Sequence, residues 1–455
     1  MYQNASLTYD VAVCGGELNM NKHVIVISVD ALVFEDLEYA ATLPSFCRIM
    51  KDSSIIERVN TIYPSLTHPV HATLLTGAPA GRTGIINNYK FNRQAPADGV
   101  RWYDELSDIK CDTLFHAAKR AGLTTASAAW PLTVGGSEVI DYLVPCILNY
   151  RFDESDKSPI DVFRECGAGE NVIDIVERAI EKHGHRDSHP EIDEFQAFCV
   201  SEIIKKYKPN LLFTHPAHVD HIRHSDGVFS DAVKDAIKLT DKWIGTILSA
   251  IDEAGIEAST DVIILSDHGQ IDVTRAISPN VYLREHGYIR TDDEGNVTSY
   301  DAFVKSGGAS AYVFLADNEN VSLREEIYTL LSDMAKDGNY GFSEVLRAEE
   351  AKERYGFYGD FAFVLETDGH TTFRDGITPP AESELDFSDY RFGKGTHGHM
   401  PHKGPQPTFI AKGCDFRRGV RIPRGDVLNH APTIAKVLGI TLLDSEGSAV
   451  NEILT

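Results

Sequence analysis

Apolar runs ending in polar, chemically competent residues alternate along this chain with segments of helical periodicity. His23–Asp30 (HVIVISVD) is almost continuously apolar, which predicts a strand buried on both faces, and it closes on Asp30. Asp112–Ala121 has the spacing of an amphipathic helix, Thr124–Ala129 reads as a short strand, and Asn210–Thr214 (NLLFT) as another that runs into a His-rich stretch. Asp231–Gly255 carries apolar residues at helical spacing and stops at a glycine, a common helix terminator. Asp261–Ser266 (DVIILS) predicts a strand that delivers Asp267-His268, Pro407–Ala411 a further strand, and Asn429–Leu438 a closing helix. Strands alternating with helices predict the α/β class: a mostly parallel central sheet with helices on both faces. Ligands of such sheets gather beyond the carboxyl ends of the strands. Three predicted strands bring Asp or Asp-His to that edge.

Between Ser278 and Pro380 the pattern changes. Short strands at Ala311–Leu315 and Phe361–Leu365 flank a helix around Leu323–Lys336, without acidic endings. The expected organisation is an inserted α+β cap subdomain, 278–380, interrupting a catalytic α/β core of 20–277 and 381–455. Residues 143–192 are polar and irregular and are expected to form a smaller lobe over the site. Residues 1–19 are expected to be an N-terminal extension, with Met20 a candidate natural start. There are no internal repeats and no low-complexity tract.

Composition narrows the function classes. The 455 residues are 42% hydrophobic and 24% charged, an ordinary globular balance, and the formal net charge is −25. That charge argues against binding nucleic-acid polymers or anionic membranes by simple electrostatics, which needs a basic face. An anionic substrate would need bound cations to reverse the local field, and the acidic residues that hold them contribute to the count. The seven cysteines are dispersed without CxxC spacing, which reads as reduced thiols. No apolar run approaches the roughly 18 residues that span a bilayer. The expectation is a soluble, cytoplasmic protein of undetermined oligomeric state.

The candidate chemistry sits at the predicted strand ends. Thr67 lies in TIYPSLTHPVHATLLTG (61–77), where loop passes into helix. A threonine there is ordinarily a helix cap, yet a hydroxyl at a helix start also sits where a metal and the helix dipole can activate it. Asp220 and His224 in HVDHIRH are spaced i, i+4, so one helical face presents both to a metal; His215, His218 and His221 compete with them. Adjacent Asp267 and His268 can diverge to two metals, with Gly269 permitting a tight turn. Asp30 is either a metal ligand or a turn or cap residue. His397, within GKGTHGHMPHKG, competes with His399 and His402, and Asn88 is either an oxyanion donor or a turn residue.

Taken in order, ISVDAL (27–32), YPSLTHPVHATLLTG, GIINN (84–88), AAWP (128–131), KPNLLFTHPAHVDHIRH, IILSDHG and GTHGHMP resemble the type I phosphodiesterase/nucleotide pyrophosphatase family of the alkaline phosphatase superfamily. The resemblance implies an alkaline-phosphatase-like fold and a hydrolase acting on a small-molecule phosphate ester, nucleotide-like or another phosphodiester. It implies two divalent metal ions, zinc with manganese as the alternative. Thr67 would be the nucleophile, forming a phospho-threonine intermediate and sharing one metal with Asp30, Asp267 and His268. The second metal would take Asp220, His224 and His397, the last chosen because Gly395-Thr396-His397-Gly398 fits the family's Gly-x-His-Gly pattern. Asn88 would donate to a phosphoryl oxygen. One departure is that His68-Pro69-Val70-His71 stands where the family usually has Phe-Pro-Asn-His. The alternative activity is C–P bond hydrolysis of the phosphonoacetate type, for which Trp130–Gly136 lacks the expected cation; Lys90, Arg93 and Lys305 are the remaining candidate anion contacts. A sulfatase signature is missing, and a non-catalytic metal-binding protein would be signalled by a lost ligand, whereas every position is filled.

Overall fold

Hydrophobic burial on both faces places the apolar runs at the centre of the molecule, seen in a computed structural model that describes residues 20–97, 99–150, 157–184, 188–389, 391 and 393–455. Residues 1–19, expected to be an extension, lie outside those described. The main sheet has eight strands: β1 His23–Ser28, β2 Ser54–Asn60, β3 Thr125–Ala128, β4 Tyr142–Val144, β5 Leu211–Thr214, β6 Thr260–Leu265, β7 Phe409–Lys412 and β8 Arg421–Asp426. Their order is β8-β2-β7-β6-β1-β5-β3-β4. β1 pairs in parallel with both β5 and β6, and within this sheet only β7 runs antiparallel to its neighbours. The structure therefore has the α/β architecture the pattern predicted. β1, β5 and β6 are adjacent, so the segments that follow them converge on one patch of the sheet edge.

Two large apolar clusters cover the two faces of this sheet, alternate residues of β1 entering each: Val24 and Val26 one, Ile25 and Ile27 the other. Residues 143–192 do not stand apart as a lobe. Their helices Pro159–Glu165 and Glu170–His183 bury Phe163, Val172, Ile173 and Val176 in the same cluster as Ile25 and Ile27. The segment looked polar because only one face of each helix is apolar. Positions 151–156 and 185–187 of it are outside the described residues.

Ala302–Gly307, Ser310–Leu315, Phe363–Thr367 and Phe342–Arg347 form a second, four-stranded antiparallel sheet, and helix Val321–Asp337 packs against its outer strand. The helix side adds Ile327, Leu331 and Met334 to an apolar cluster with Phe303, Val313 and Phe363. On the other face Tyr312, Phe314 and Val364 join the core cluster. The turn at 307–310 reaches the strand-end patch, where the Ala309 amide donates to the His397 carbonyl at 2.8 Å. Among the described residues no helix is long and apolar enough to cross a membrane, and the six cysteines are unpaired.

Candidate active site

The chain leaves β1 through Asp30 and a tight turn in which Ala31 adopts φ 56°. That left-handed conformation costs an alanine about 1–2 kcal/mol. The turn is held from three sides: the Asp30 amide donates to the Pro216 carbonyl (3.0 Å), the Ala31 amide to Asp267 Oδ1 (3.2 Å), and Arg223 Nε to the Ala31 carbonyl (3.1 Å). The next helical turn begins at Phe34, capped at Val33, so Asp30 caps nothing. It faces its neighbours instead: Oδ2 lies 3.0 Å from His215 Nε2, and Oδ1 is buried without a hydrogen bond, 3.6 Å from His268 Nε2.

After β6 the backbone turns at Asp267-His268, both fully buried. Gly269 acts here through space, not through conformational freedom: a Cβ at this position would sit 2.2 Å from the Pro405 carbonyl oxygen. Asp267 Oδ2 has no hydrogen-bond partner and stands 3.1 Å from His268 Nε2 and 3.5 Å from His71 Nδ1. His71, one turn into the helix Thr67–Thr76, is steadied by the Thr67 carbonyl (2.7 Å) and by Ser28 Oγ (3.0 Å).

Thr67 is the first residue of that helix, with Leu66 in the cap position, and its hydroxyl makes no capping bond. Oγ1 points instead to His268 Nε2 at 3.2 Å. The cap reading of Thr67 is thereby corrected. Across from it, the helix His218–Asp226 presents Asp220 and His224 together, Oδ2 to Nε2 3.4 Å. His397 Nε2 lies 3.9 Å from Asp220 Oδ1, and its ring stacks on His268 with centroids 4.0 Å apart. His224 Nδ1 contacts the Gly395 carbonyl (2.7 Å) and His397 Nδ1 the Ser65 carbonyl (3.2 Å), which leaves both Nε2 atoms toward Asp220.

Ser65 fastens the Thr67 loop to the His397 loop: its carbonyl accepts from the Gly398 amide (2.8 Å), and its hydroxyl donates to the His399 carbonyl (2.7 Å). Gly398 is required there, since φ is +97° and a Cβ would meet the Gly307 carbonyl at 2.0 Å. Of the competitors, His399 is buried away from Asp220 against Gly404, and His215 serves Asp30. Sequence reasoning passed over Ser65 and Gln270, whose side-chain amide donates to Asp220 Oδ1, and it placed His215 only among the rival metal ligands. His71 stood in the departure from the family pattern, His68-Pro69-Val70-His71, without an assigned partner.

Helix His218–Asp226 is anchored by Arg223, which is fully buried, ion-paired with Asp36 and bonded to the Val228 and Ala31 carbonyls. Arg223→Ala would strand the Asp36 carboxylate in the interior. It is expected to cost about 3–5 kcal/mol, read as a lower denaturant midpoint; a loss under about 1 kcal/mol would contradict the anchoring role.

Electrostatics point the same way. Burial, with Asp220 and Asp267 nearby, pushes the Asp30 carboxyl well above its ordinary value, and burial also raises Asp267. Burial likewise drives His268 and His397 well below the usual imidazole value, keeping them neutral. Neutral imidazoles beside crowded carboxylates, two of which carry unpartnered oxygens, form a donor set that divalent cations fit. Two overlapping groups of such donors, Asp30-Asp267-His268 and Asp220-His268-His397, each lie within 4.8 Å.

Asp30, Thr67, Asp220, His224 and His397 floor a cavity of about 400 Å³, with Asp267 and His268 buried among them. Asn88 lines it, and its Oδ1 accepts from the His68 amide at 2.9 Å, which turns the amide nitrogen away from the helix. The His68 ring, at the departure from the family pattern, lies 5.1 Å from the Trp102 ring in the cavity wall. The three expected anion contacts are corrected. Lys90 pairs with Asp108, Arg93 with Asp360 and Lys305 with Asp375, and none lines the cavity; Arg391, bound to Asp389 and Tyr89, does.

Comparison with known proteins follows the same residues. A family model described as type I phosphodiesterase / nucleotide pyrophosphatase matches residues 24–399. A Schizosaccharomyces pombe protein described as an uncharacterized pyrophosphatase/phosphodiesterase is 24% identical over 270 residues, 56% of this chain and 47% of that protein. Human ectonucleotide pyrophosphatase/phosphodiesterase family member 5 is 25% identical over 275 residues, 59% of this chain and 50% of the relative. These matches span about half the length of each relative. Among solved structures, murine ectonucleotide pyrophosphatase/phosphodiesterase 5 superposes with a TM-score of 0.64 at 20% identity, covering 95% of this chain and all of that one. At that identity the likeness is one of fold. An inactive threonine-to-alanine variant of the murine protein, in complex with AMP, superposes with a TM-score of 0.63.

Proposed function

The chain belongs to the type I phosphodiesterase/nucleotide pyrophosphatase family, and from that premise we propose that it is a metal-dependent hydrolase of phosphodiesters or nucleotide pyrophosphates with Thr67 as nucleophile. The observation that carries the reading is the uncapped Thr67 hydroxyl, 3.2 Å from His268 on the floor of the cavity and beside both carboxylate–histidine groups. Asp30, Asp267 and His268, with Thr67, would hold one divalent cation, and Asp220, His224 and His397 the other; zinc suits this N/O donor set. When bound, the cations would supply Lewis acidity that activates the hydroxyl and neutralises charge on the phosphoryl group.

Thr67 Oγ1 forms the bond to phosphorus as the bond to the leaving oxygen breaks in line, and water then hydrolyses the phospho-threonine. Asn88 donates to a non-bridging oxygen. His71 and His215 orient the Asp267 and Asp30 carboxylates. Residues 278–380 serve as a cap on the core formed by 20–277 and 381–455, its 307–310 turn closing against His397. The AMP complex of the murine relative supports a nucleotide-like substrate. The six cysteines among the described residues are unpaired, which favours a reducing compartment, the cytoplasm.

Zinc-loaded protein is to be assayed against a nucleotide diester, a nucleoside triphosphate, a phosphomonoester and phosphonoacetate. Turnover of the diester or the triphosphate should exceed that of the other two by about tenfold or more, roughly 1.4 kcal/mol of transition-state preference. Faster turnover of phosphonoacetate would assign C–P bond cleavage instead. Asn88→Ala should lower kcat for the best substrate by about 10²-fold with metal content intact; an unchanged kcat would remove Asn88 from the oxyanion role.

A further inference from the structure

The helix His218–Asp226 carries two sets of donors. Asp220 and His224 share one face, whereas His218 and His221, spaced i, i+3, share an adjacent one. Opposite that second face the helix Glu191–Tyr207 begins, preceded by His189 and carrying Asp193 in its first turn. We propose that His189, Asp193 and His218, with His221 beside them, form a further divalent-cation site in the wall of the substrate cavity, distinct from the two groups at the strand ends.

The donors already converge. Ligand atoms of His189, Asp193 and His218 all lie within 4.8 Å of one another. Asp193 is 1% exposed; its Oδ1 accepts from the Ala217 amide (2.7 Å), which joins the two helix starts, and its Oδ2 meets His189 Nδ1 (2.5 Å). His218 is 8% exposed, and its Nδ1 is buried without a hydrogen bond. The His221 ring lies 5.2 Å from that of His189 and 6.2 Å from that of His218.

A plain i, i+4 ion pair between His189 and Asp193 accounts for those two residues alone. It leaves a buried imidazole nitrogen unsatisfied, which costs about 1–3 kcal/mol, and gives no reason for two further histidines around one buried carboxylate. Imidazoles with one carboxylate are a donor set for zinc and similar ions. The positive ends of two helix dipoles oppose a cation here; the Asp193 charge, with Glu191 beside it, offsets them. His189 and His221 line the same cavity as Thr67, so a cation at this place would face the substrate.

The inference rests on the proposed function only for the meaning of that position, and metal counting separates the two. Full-length protein is saturated with Zn2+, freed of excess ion by gel filtration, and analysed for zinc per chain. His189→Gln and His218→Gln should each hold one zinc fewer than wild type, whereas Asp267→Asn should lose a different one, so that His189→Gln with Asp267→Asn loses both. Equal zinc in wild type and His189→Gln overturns the site. If Asp267→Asn alone leaves the count unchanged, the strand-end metal reading fails and this one stands. His218 is buried; if its variant misfolds by circular dichroism, the half-buried His189 decides.

Discussion

Thr67→Ala is expected to lower kcat for a chromogenic phosphodiester by about 10³-fold or more while metal content and folding stay at wild-type levels. The size follows from losing the covalent route altogether; what remains is substrate positioning and charge stabilisation. Structure explains why the change is clean. Thr67 is the first helical residue and caps nothing, so removing Oγ1 deletes its 3.2 Å contact with His268 and no backbone hydrogen bond, and Asp30, Asp267 and His268 remain to hold the cation. Alanine favours helix, so stability should move by only a few tenths of a kcal/mol. Steady-state kinetics beside zinc analysis settles the matter, and turnover within about tenfold of wild type would sink the nucleophile assignment.

Asp267→Asn carries the next largest expectation: loss of one metal equivalent and a fall in kcat of about 10³-fold. Asp267 is fully buried, Oδ2 lacks a hydrogen bond, and the Ala31 amide, His71 and His268 all face its carboxylate. An amide keeps the shape and removes the charge that a cation requires. Burial raises the carboxyls of Asp30 and Asp267, so protons compete with a cation for them at higher pH than for an ordinary carboxylate. Affinity should therefore strengthen as pH rises through those raised values and weaken as it falls. Zinc titrations of wild type and variant at several pH values test both statements, and full occupancy in Asp267→Asn would discard Asp267 as a ligand.

Much of the frame was legible beforehand, for an identifiable reason. β1 and β6 are buried on both faces, so nearly every residue is apolar, and the first polar positions past them, Asp30 and Asp267-His268, mark the sheet edge. The Asp220–His224 spacing needs only one helical turn. The segment 143–192 misled because the apolar face of a two-sided helix is diluted in the one-dimensional sequence, and the pattern does not say which surface the helix will meet.

The histidines separate the two kinds of information most clearly. In HPAHVDHIRH the sequence determined that donors would crowd the end of β5, and periodicity put His224 on the face of Asp220. Only the tertiary structure decided that His215 turns to Asp30, 185 residues away, and that His218 and His221 meet His189 and Asp193 on another helix. It also brings His397, which the Gly-x-His-Gly resemblance had favoured over His399, to Asp220, and it turns Thr67 toward His268 across 201 residues instead of leaving it to cap its helix. Local periodicity fixes which side chains share a face, because it depends on backbone geometry within a turn or two. What that face meets depends on how the whole chain packs, and short-range pattern carries no record of it.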